Sequence, residues 1–376
     1  MSQQAGSRRI AFLVWRDTAH PDGGGSEVYV EHMARWLSQQ GHQVSIVCAA
    51  HRNAPADQVA DGVRFRRRGG WLSVYPRGLA YLLGRDGRRT DLVIDVHNGI
   101  PFGSPLVRRR GLHVLVHHVH REQWRIIYPG LRGRLGWWIE SWLAPRLYRG
   151  LPYVTVSESS KADLVALGVR PDQITVIRNG IDVPHPSLLQ PRSDTPRLCV
   201  LGRLVPHKQV EHALRVLADL ADELPELRLD VIGSGWWDAE LRRLADELRV
   251  ADRVVFHGHV SEADRDALLD ASWLMLAPSI KEGWGIAIME AAARAVPTIA
   301  YASAGGVTES VLDGETGLLV ADYPELLEQT RRLLSDHELR LSMGKAARER
   351  AENFDWASSA AAFERHLLGA SDQRPR

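Results

Sequence analysis

What this chain lacks narrows the field first. Only two cysteines, Cys48 and Cys199, occur in 376 residues. Both sit in apolar, strand-like runs, SIVCAA and LCVLG, and buried free thiols are expected, as suits a reducing compartment. No apolar run approaches the roughly 20 residues needed to cross a bilayer. The short apolar run in RRIAFLVW reads as a first strand, not as a signal peptide. There is no zinc-ligand spacing and no recognisable nucleic-acid module, so nucleic acid is not an expected partner. No G-x-G-x-x-G with an acidic residue about 20 positions on follows a strand, which argues against a nicotinamide-dependent oxidoreductase. Lysine is scarce as well: Lys161, Lys208, Lys281 and Lys345 are all there are.

What is present is ordinary in bulk and uneven in detail. The length suits two domains, and 44% hydrophobic with 25% charged residues suits a soluble globular chain. Residues 1–187 hold 25 Lys+Arg against 15 Asp+Glu, whereas residues 188–376 hold 22 against 31, so balances of +10 and −9 make the net +1. A basic N-terminal half suggests an anionic partner there, such as a membrane surface or a phosphorylated acceptor.

The stretch 278–311, PSIKEGWGIAIMEAAARAVPTIAYASAGGVTESV, organises the rest. It reads as loop, helix, strand, glycine turn and helix. Glycine turns that open helices present free N–H groups and suit phosphates. Glu282 and Glu290, with seven residues between them, are acceptors that suit sugar hydroxyls. Phosphate cradles beside hydroxyl acceptors fit a nucleotide sugar.

Strand and helix patterns alternate through both halves. RRIAFLVW is followed by a turn at Gly23, Gly24 and Gly25, with Ser26 as N-cap of a helix over 27–39. HQVSIVCAA, DLVIDVHNG and HVLVHHVHREQW read as further strands. Their carboxyl ends, where open parallel sheets bind ligands, carry His97, Asn98, His117, His118 and His120. Successive side chains there alternate sides, and no carboxylate or Cys set accompanies them, so no metal is expected. HPSLLQPRSDTP reads as an interdomain linker. RLCVLGRL and LRLDVIGSG restart the pattern, the second closing at Gly233. Asp264 and Asp266 form a D-x-D, but on a helix they lie about 200° apart and cannot chelate one ion together.

Two segments mix arginine with aromatic residues. One runs from Arg64, Arg66, Arg67 and Arg68 to Arg85, Arg88 and Arg89; the other holds Trp137, Trp138 and Trp142 among Arg132, Arg134, Arg146 and Arg149. They read either as interfacial helices or as core-facing helices with a solvated basic side.

EGWGIAIMEAAA resembles the E-x7-E segment of retaining glycosyltransferases of the GT-B fold, family 4, and GRLVPHK resembles their G-R-x4-K. The resemblance implies an α/β architecture. Two Rossmann-like domains face each other across a cleft, 1–187 for the acceptor and 188–353 for the donor, with a helix and tail over 354–376 crossing back. It implies Arg203 and Lys208 on the diphosphate, Glu282 and His117 on the transferred sugar, and Glu290 on the ribose. His118 is the runner-up to His117. Donor contacts are expected at Gly24, Gly25, Gly233, Val260 of the base-binding loop, Gly283, Trp284, Gly285 and Ile286. Asn98 and His118 are acceptor-side candidates. The implied reaction moves a hexose from a GDP- or UDP-linked donor, with retention and without metal or cofactor, to a lipid-linked or glycan acceptor. The expected setting is cytoplasmic cell-envelope glycan synthesis, with peripheral contact to an anionic membrane. A non-catalytic nucleotide-sugar-binding or membrane-docked subunit of the same fold stands as the alternative.

Overall fold

The computed structural model describes residues 6–372. These residues divide into two compact units, 6–180 with 356–372, and 181–355. The divisions differ from 187/188 and 353/354 because the linker is tied to the second unit. The Ile181 N–H donates to the Phe354 carbonyl at 2.6 Å, and the Arg348 guanidinium donates to the Pro184 carbonyl.

The first unit is built on β1 (Arg9–Leu13), β2 (Gln43–Cys48), β3 (Asp57–Ala60), β4 (Val63–Arg67), β5 (Leu92–His97), β6 (Leu112–Val116), β7 (Tyr153–Thr155) and β8 (Ile174–Val176). Their order is β3-β4-β2-β1-β5-β6-β7-β8. Only β3 runs antiparallel, as the outer arm of a hairpin with β4. The interior strands β1, β5 and β6 are buried almost throughout, as a parallel sheet covered on both faces requires. The helix Trp356–Asp372 belongs to this unit. Phe363 stacks near Phe12 of β1, and Glu364 accepts from the Trp36 indole at 3.0 Å.

The second unit holds β9 (Arg197–Leu201), β10 (Arg228–Ile232), β11 (Val254–Gly258), β12 (Leu274–Ala277), β13 (Thr298–Tyr301) and β14 (Gly317–Val320). All pairs are parallel, in the order β11-β10-β9-β12-β13-β14. Such an order reverses direction between β9 and β12, and ligands of open α/β sheets bind at that switch point, outside the carboxyl ends. In the first unit the reversal falls between β1 and β5. Both cysteines are free and buried.

Several sequence expectations change. The first helix spans Gly25–Gln39 with Gly24 as N-cap, not 27–39 capped by Ser26. Glu27 is the cause: its carboxylate reaches back to the Gly24 N–H at 2.8 Å and closes the first turn. The first arginine-rich segment opens on a strand, β4, rather than a helix. Three of its arginines pair with acids, only the first pair being buried: Arg67 with Asp17 at 2.5 Å, Arg66 with Asp86 at 2.5 Å, and Arg68 with Asp57. The second segment is helical over Leu131–Trp138 but widens into a π-helical turn at Ile139–Leu143 before resuming at Ala144–Leu147.

Candidate functional site

At the second unit's switch point, β9 ends at Leu201 and delivers Gly202 and Arg203, then a single 3-10 turn, Pro206–Lys208. β12 ends at Ala277 and delivers residues 278–285. The two loops enclose a pocket lined by Gly202, Arg203, Lys208, Ser279, Glu282 and Gly285. Lys208 Nζ lies 2.5 Å from Glu282 Oε1, and the Ser279 hydroxyl donates to the same oxygen at 2.7 Å.

The backbone around Glu282 is fixed by the glycine turn after β13. Its N–H donates to the Ala304 carbonyl at 2.8 Å, and its carbonyl accepts from the Gly306 N–H at 3.2 Å. A Cβ on Gly306 would meet the Gly283 carbonyl oxygen at 2.0 Å, so only glycine lets the two loops approach this closely. Gly285, at φ +92°, is the left-handed N-cap of the helix Ile286–Ala293, whose first N–H groups open beside the pocket.

Glu290, on that helix, is held by Arg265 at 2.9 Å. Burial pushes its carboxyl above the usual range, and the Arg265 guanidinium opposes that push. Asp266 is bound to Arg265 and Arg294, while the carboxylate of Asp264 accepts at 2.7 Å from the hydroxyl of Ser261, the N-cap of its helix. The D-x-D is therefore occupied by structural work. Trp284 is 1% exposed and its ring packs edge-on against Phe354 at 5.2 Å, so the side chain is core and a contact to the donor would fall to its backbone. Val260 and Leu201 pack against the apolar cluster under the pocket. Gly233 follows β10 at φ +129°, and a Cβ there would strike the Gly202 carbonyl oxygen at 2.0 Å.

The first unit's switch point is more heavily charged and more enclosed. Arg16, just after β1, pairs with Glu27 at 3.1 Å, both nearly without exposure. Asp17 holds Arg67 and also His51 at 2.9 Å. Within β5, Asp95 accepts from the Tyr148 hydroxyl and, at 2.6 Å, from the Ser104 hydroxyl. His97 is buried against the Tyr148 ring at 4.5 Å. Its Nε2, 3.6 Å from Asp95, feels that charge without a hydrogen bond. Asn98 buries its amide nitrogen without a partner among the described residues.

His117, just beyond β6, is 6% exposed and sits edge-on to Tyr29 at 5.3 Å. Burial lowers its pKa to about 4, so the ring is neutral at neutral pH. Among the described residues its Nε2 has no hydrogen-bond partner. His118 is linked to Gln123 at 3.1 Å and lies beside the His120 ring. Glu140, inside the π-helical turn, accepts from the His120 N–H at 3.1 Å and the Trp124 indole at 2.7 Å, and lies 2.9 Å from His120 Nδ1.

Sequence reasoning singled out neither Arg16, Asp17 and Glu27 nor Glu140. Glu27 carried a readable signal, an acid three residues beyond a glycine N-cap. Glu140 carried none, because its partner His120 is far along the chain.

Residues 23–185 match the family described as Glycosyltransferase Family 4, and residues 188–350 match Glycosyl transferases group 1. The chain belongs to the family 4 glycosyltransferases of the GT-B fold.

Relatives agree over nearly full length. A D-inositol 3-phosphate glycosyltransferase of Corynebacterium glutamicum is 27% identical, over 90% of this chain and 90% of its own. A glycogen synthase of Mycobacterium tuberculosis is 27% identical, over 92% and 91% respectively. The solved sucrose-phosphate synthase of Thermosynechococcus elongatus aligns at TM-score 0.82, with 23% identity over 97% of this chain and 100% of that one. As a family 4 glycosyltransferase the chain is an enzyme that uses a nucleotide-sugar donor. None of its described helices is long and apolar enough to cross a membrane.

Proposed function

We propose that this glycosyltransferase moves a hexose from a UDP- or GDP-linked donor to a lipid-linked or glycan acceptor, with retained anomeric configuration and no metal ion. The observation that carries the reading is the gathering of Arg203, Lys208, Glu282 and the glycine-opened helix Ile286–Ala293 around one pocket. A leaving diphosphate needs positive charge and N–H donors held in place before the bond breaks. Arg203, Lys208 and the Gly202 backbone supply them on this reading. Glu282 accepts from sugar hydroxyls, Glu290 from the ribose, and the loop at Val260 meets the base. Gly24 and Gly25 approach the donor phosphate, His117 orients the sugar as a neutral imidazole, and Asn98 and His118 face the acceptor. In the retaining course the acceptor oxygen attacks from the face of the departing phosphate, which takes its proton.

The test needs no acceptor. Slow hydrolysis of UDP- and GDP-linked α-hexoses is followed by NMR in excess EDTA. Turnover should persist, and the first sugar released should be the α anomer. Activity restored only by magnesium or manganese would remove metal independence, and a β first product would remove retention.

A surface of the first unit favours a lipid setting. Leu131, Leu135, Trp138 and Trp142 are exposed on one helical stretch, with Leu131 at 80% and the stacked tryptophans at 45% each. Arg132, Arg134, Arg146 and Arg149 surround them and are exposed. Aromatic and aliphatic groups rimmed by arginine suit the headgroup layer of an anionic bilayer. This supports a peripheral enzyme of cell-envelope glycan synthesis at the inner face of the plasma membrane.

A further inference from the structure

The pocket at the β9–β12 switch point contains a competition. Lys208 rises from the β9 side. Its Cε and Nζ pass over Gly202, where a Cβ would come within 3.8 and 3.9 Å of them. It ends on Glu282, which comes from the β12 side, at 2.5 Å. The two side chains are 19% and 17% exposed, so water screens the pair only partly. Glu282 cannot retreat. Its backbone is bonded on both sides to the glycine turn, and Ser279 holds the same carboxylate oxygen that Lys208 does. Lys208, on a four-carbon stem, is the movable partner.

We propose that Glu282 makes this site discriminate against bare nucleoside diphosphate in favour of a diphosphate that carries a sugar; the proposal rests on the reading that this pocket holds the donor. A diphosphate must draw Lys208 away from Glu282. That leaves a half-enclosed carboxylate without its ammonium partner. Bare diphosphate offers nothing to it, since both are acceptors only. A sugar on the second phosphate offers hydroxyl donors, which replace the lost ammonium. Binding of the donor therefore exchanges one partner of Glu282 for another, while binding of the product only removes one. After transfer, Glu282 reclaims Lys208 and weakens the hold on the departing diphosphate. The carboxylate thus favours product release as well as donor recognition.

The proposal has an unusual sign. Glu282→Gln removes a group from the site yet should tighten bare diphosphate. Calorimetry with UDP, GDP, UDP-glucose and GDP-mannose on the full-length protein tests it, using the nucleotide pair that the wild type binds. Glu282→Gln should bind the bare diphosphate about tenfold tighter than wild type, the equivalent of about 1.4 kcal/mol. The advantage of the sugar-bearing ligand over it should shrink. Lys208→Met should weaken both ligands, and in the Lys208→Met background Glu282→Gln should no longer tighten the diphosphate. Unchanged or weaker diphosphate binding by Glu282→Gln, with a melting temperature like wild type, overturns the proposal. So does tightening that persists without Lys208, because the carboxylate would then act by direct repulsion. Lys208→Met that leaves both affinities intact, or a wild type that binds none of the four, overturns instead the donor reading beneath it.

Discussion

In the first unit the charges at the switch point are already committed. Glu27 holds Arg16 and the Gly24 N–H, and Asp17 holds Arg67 and His51. These side chains are nearly sealed from water. In the second unit, Lys208 and Glu282 pair with each other across an opening that still admits solvent. Both units wind a parallel sheet and reverse it at the same kind of place. The difference shows that a shared topology fixes where a site lies but not what state its charges rest in. Sealed pairs hold a wall rigid and are costly to break. An open pair can change partners, which a substrate site requires.

Breaking one pair in each unit sharpens this contrast most. Arg67→Met leaves the buried Asp17 carboxylate with His51 and without its guanidinium, and should cost about 3 kcal/mol in denaturant unfolding. Lys208→Met strands a half-open carboxylate and should cost about 1 kcal/mol or less. Equal losses would erase the distinction between sealed and open pairs.

Acid should also separate the units. In the first, His117 has its pKa lowered to about 4 by burial, and burial lowers those of His20, His97 and His366 as well. In the second, burial lowers that of His212. The unfolded chain binds a proton on such a histidine below about pH 6.5, whereas folded His117 stays neutral until about pH 4. The stability due to neutral His117 is thus complete above about pH 6.5 and falls as the pH drops toward 4, by roughly 3 kcal/mol in all. His117→Gln should flatten the fall of unfolding free energy between about pH 7 and pH 4.5, leaving a residual slope from the other histidines. An unchanged slope would mean that His117 is not held neutral.

The smallest effect on stability belongs to the exposed tryptophans. Trp138→Ala with Trp142→Ala should move unfolding by about 1 kcal/mol at most, since both rings are partly solvated. Flotation with vesicles should change far more. Wild type should bind anionic but not neutral vesicles at low salt and release them at high salt, and the double variant should bind much less. Wild type that ignores both kinds of vesicle would leave the surface without a lipid role.

Much of this was legible because it is local. The strand runs, the glycine turns and the E-x7-E and G-R-x4-K spacings all lie within short windows, and they place Arg203, Lys208 and Glu282 on the loops that line the pocket. What was not legible depends on distance along the chain. Nothing near Arg67 announces Asp17, fifty residues earlier, and so the arginine run looked like a solvated or interfacial surface. Trp284 lies inside the motif that builds the pocket, yet its ring turns into the core against Phe354. A motif fixes the path of the backbone and leaves to packing which of its side chains face the ligand.

The π-helical turn at Ile139–Leu143 makes the helix around it a device that counts residues. Glu140 and Tyr148 are both buried, one fastened to His120 and the other to Asp95. At ordinary α pitch, eight residues would set their directions about 80° apart. One residue absorbed by the wide turn brings that to about 20°, close to a common face. Deleting a single residue there would relax the turn to α pitch and still leave the two anchors about 20° apart, whereas inserting one would swing them to about 80°. The segment should therefore tolerate the loss of one residue in the wide turn better than the gain of another.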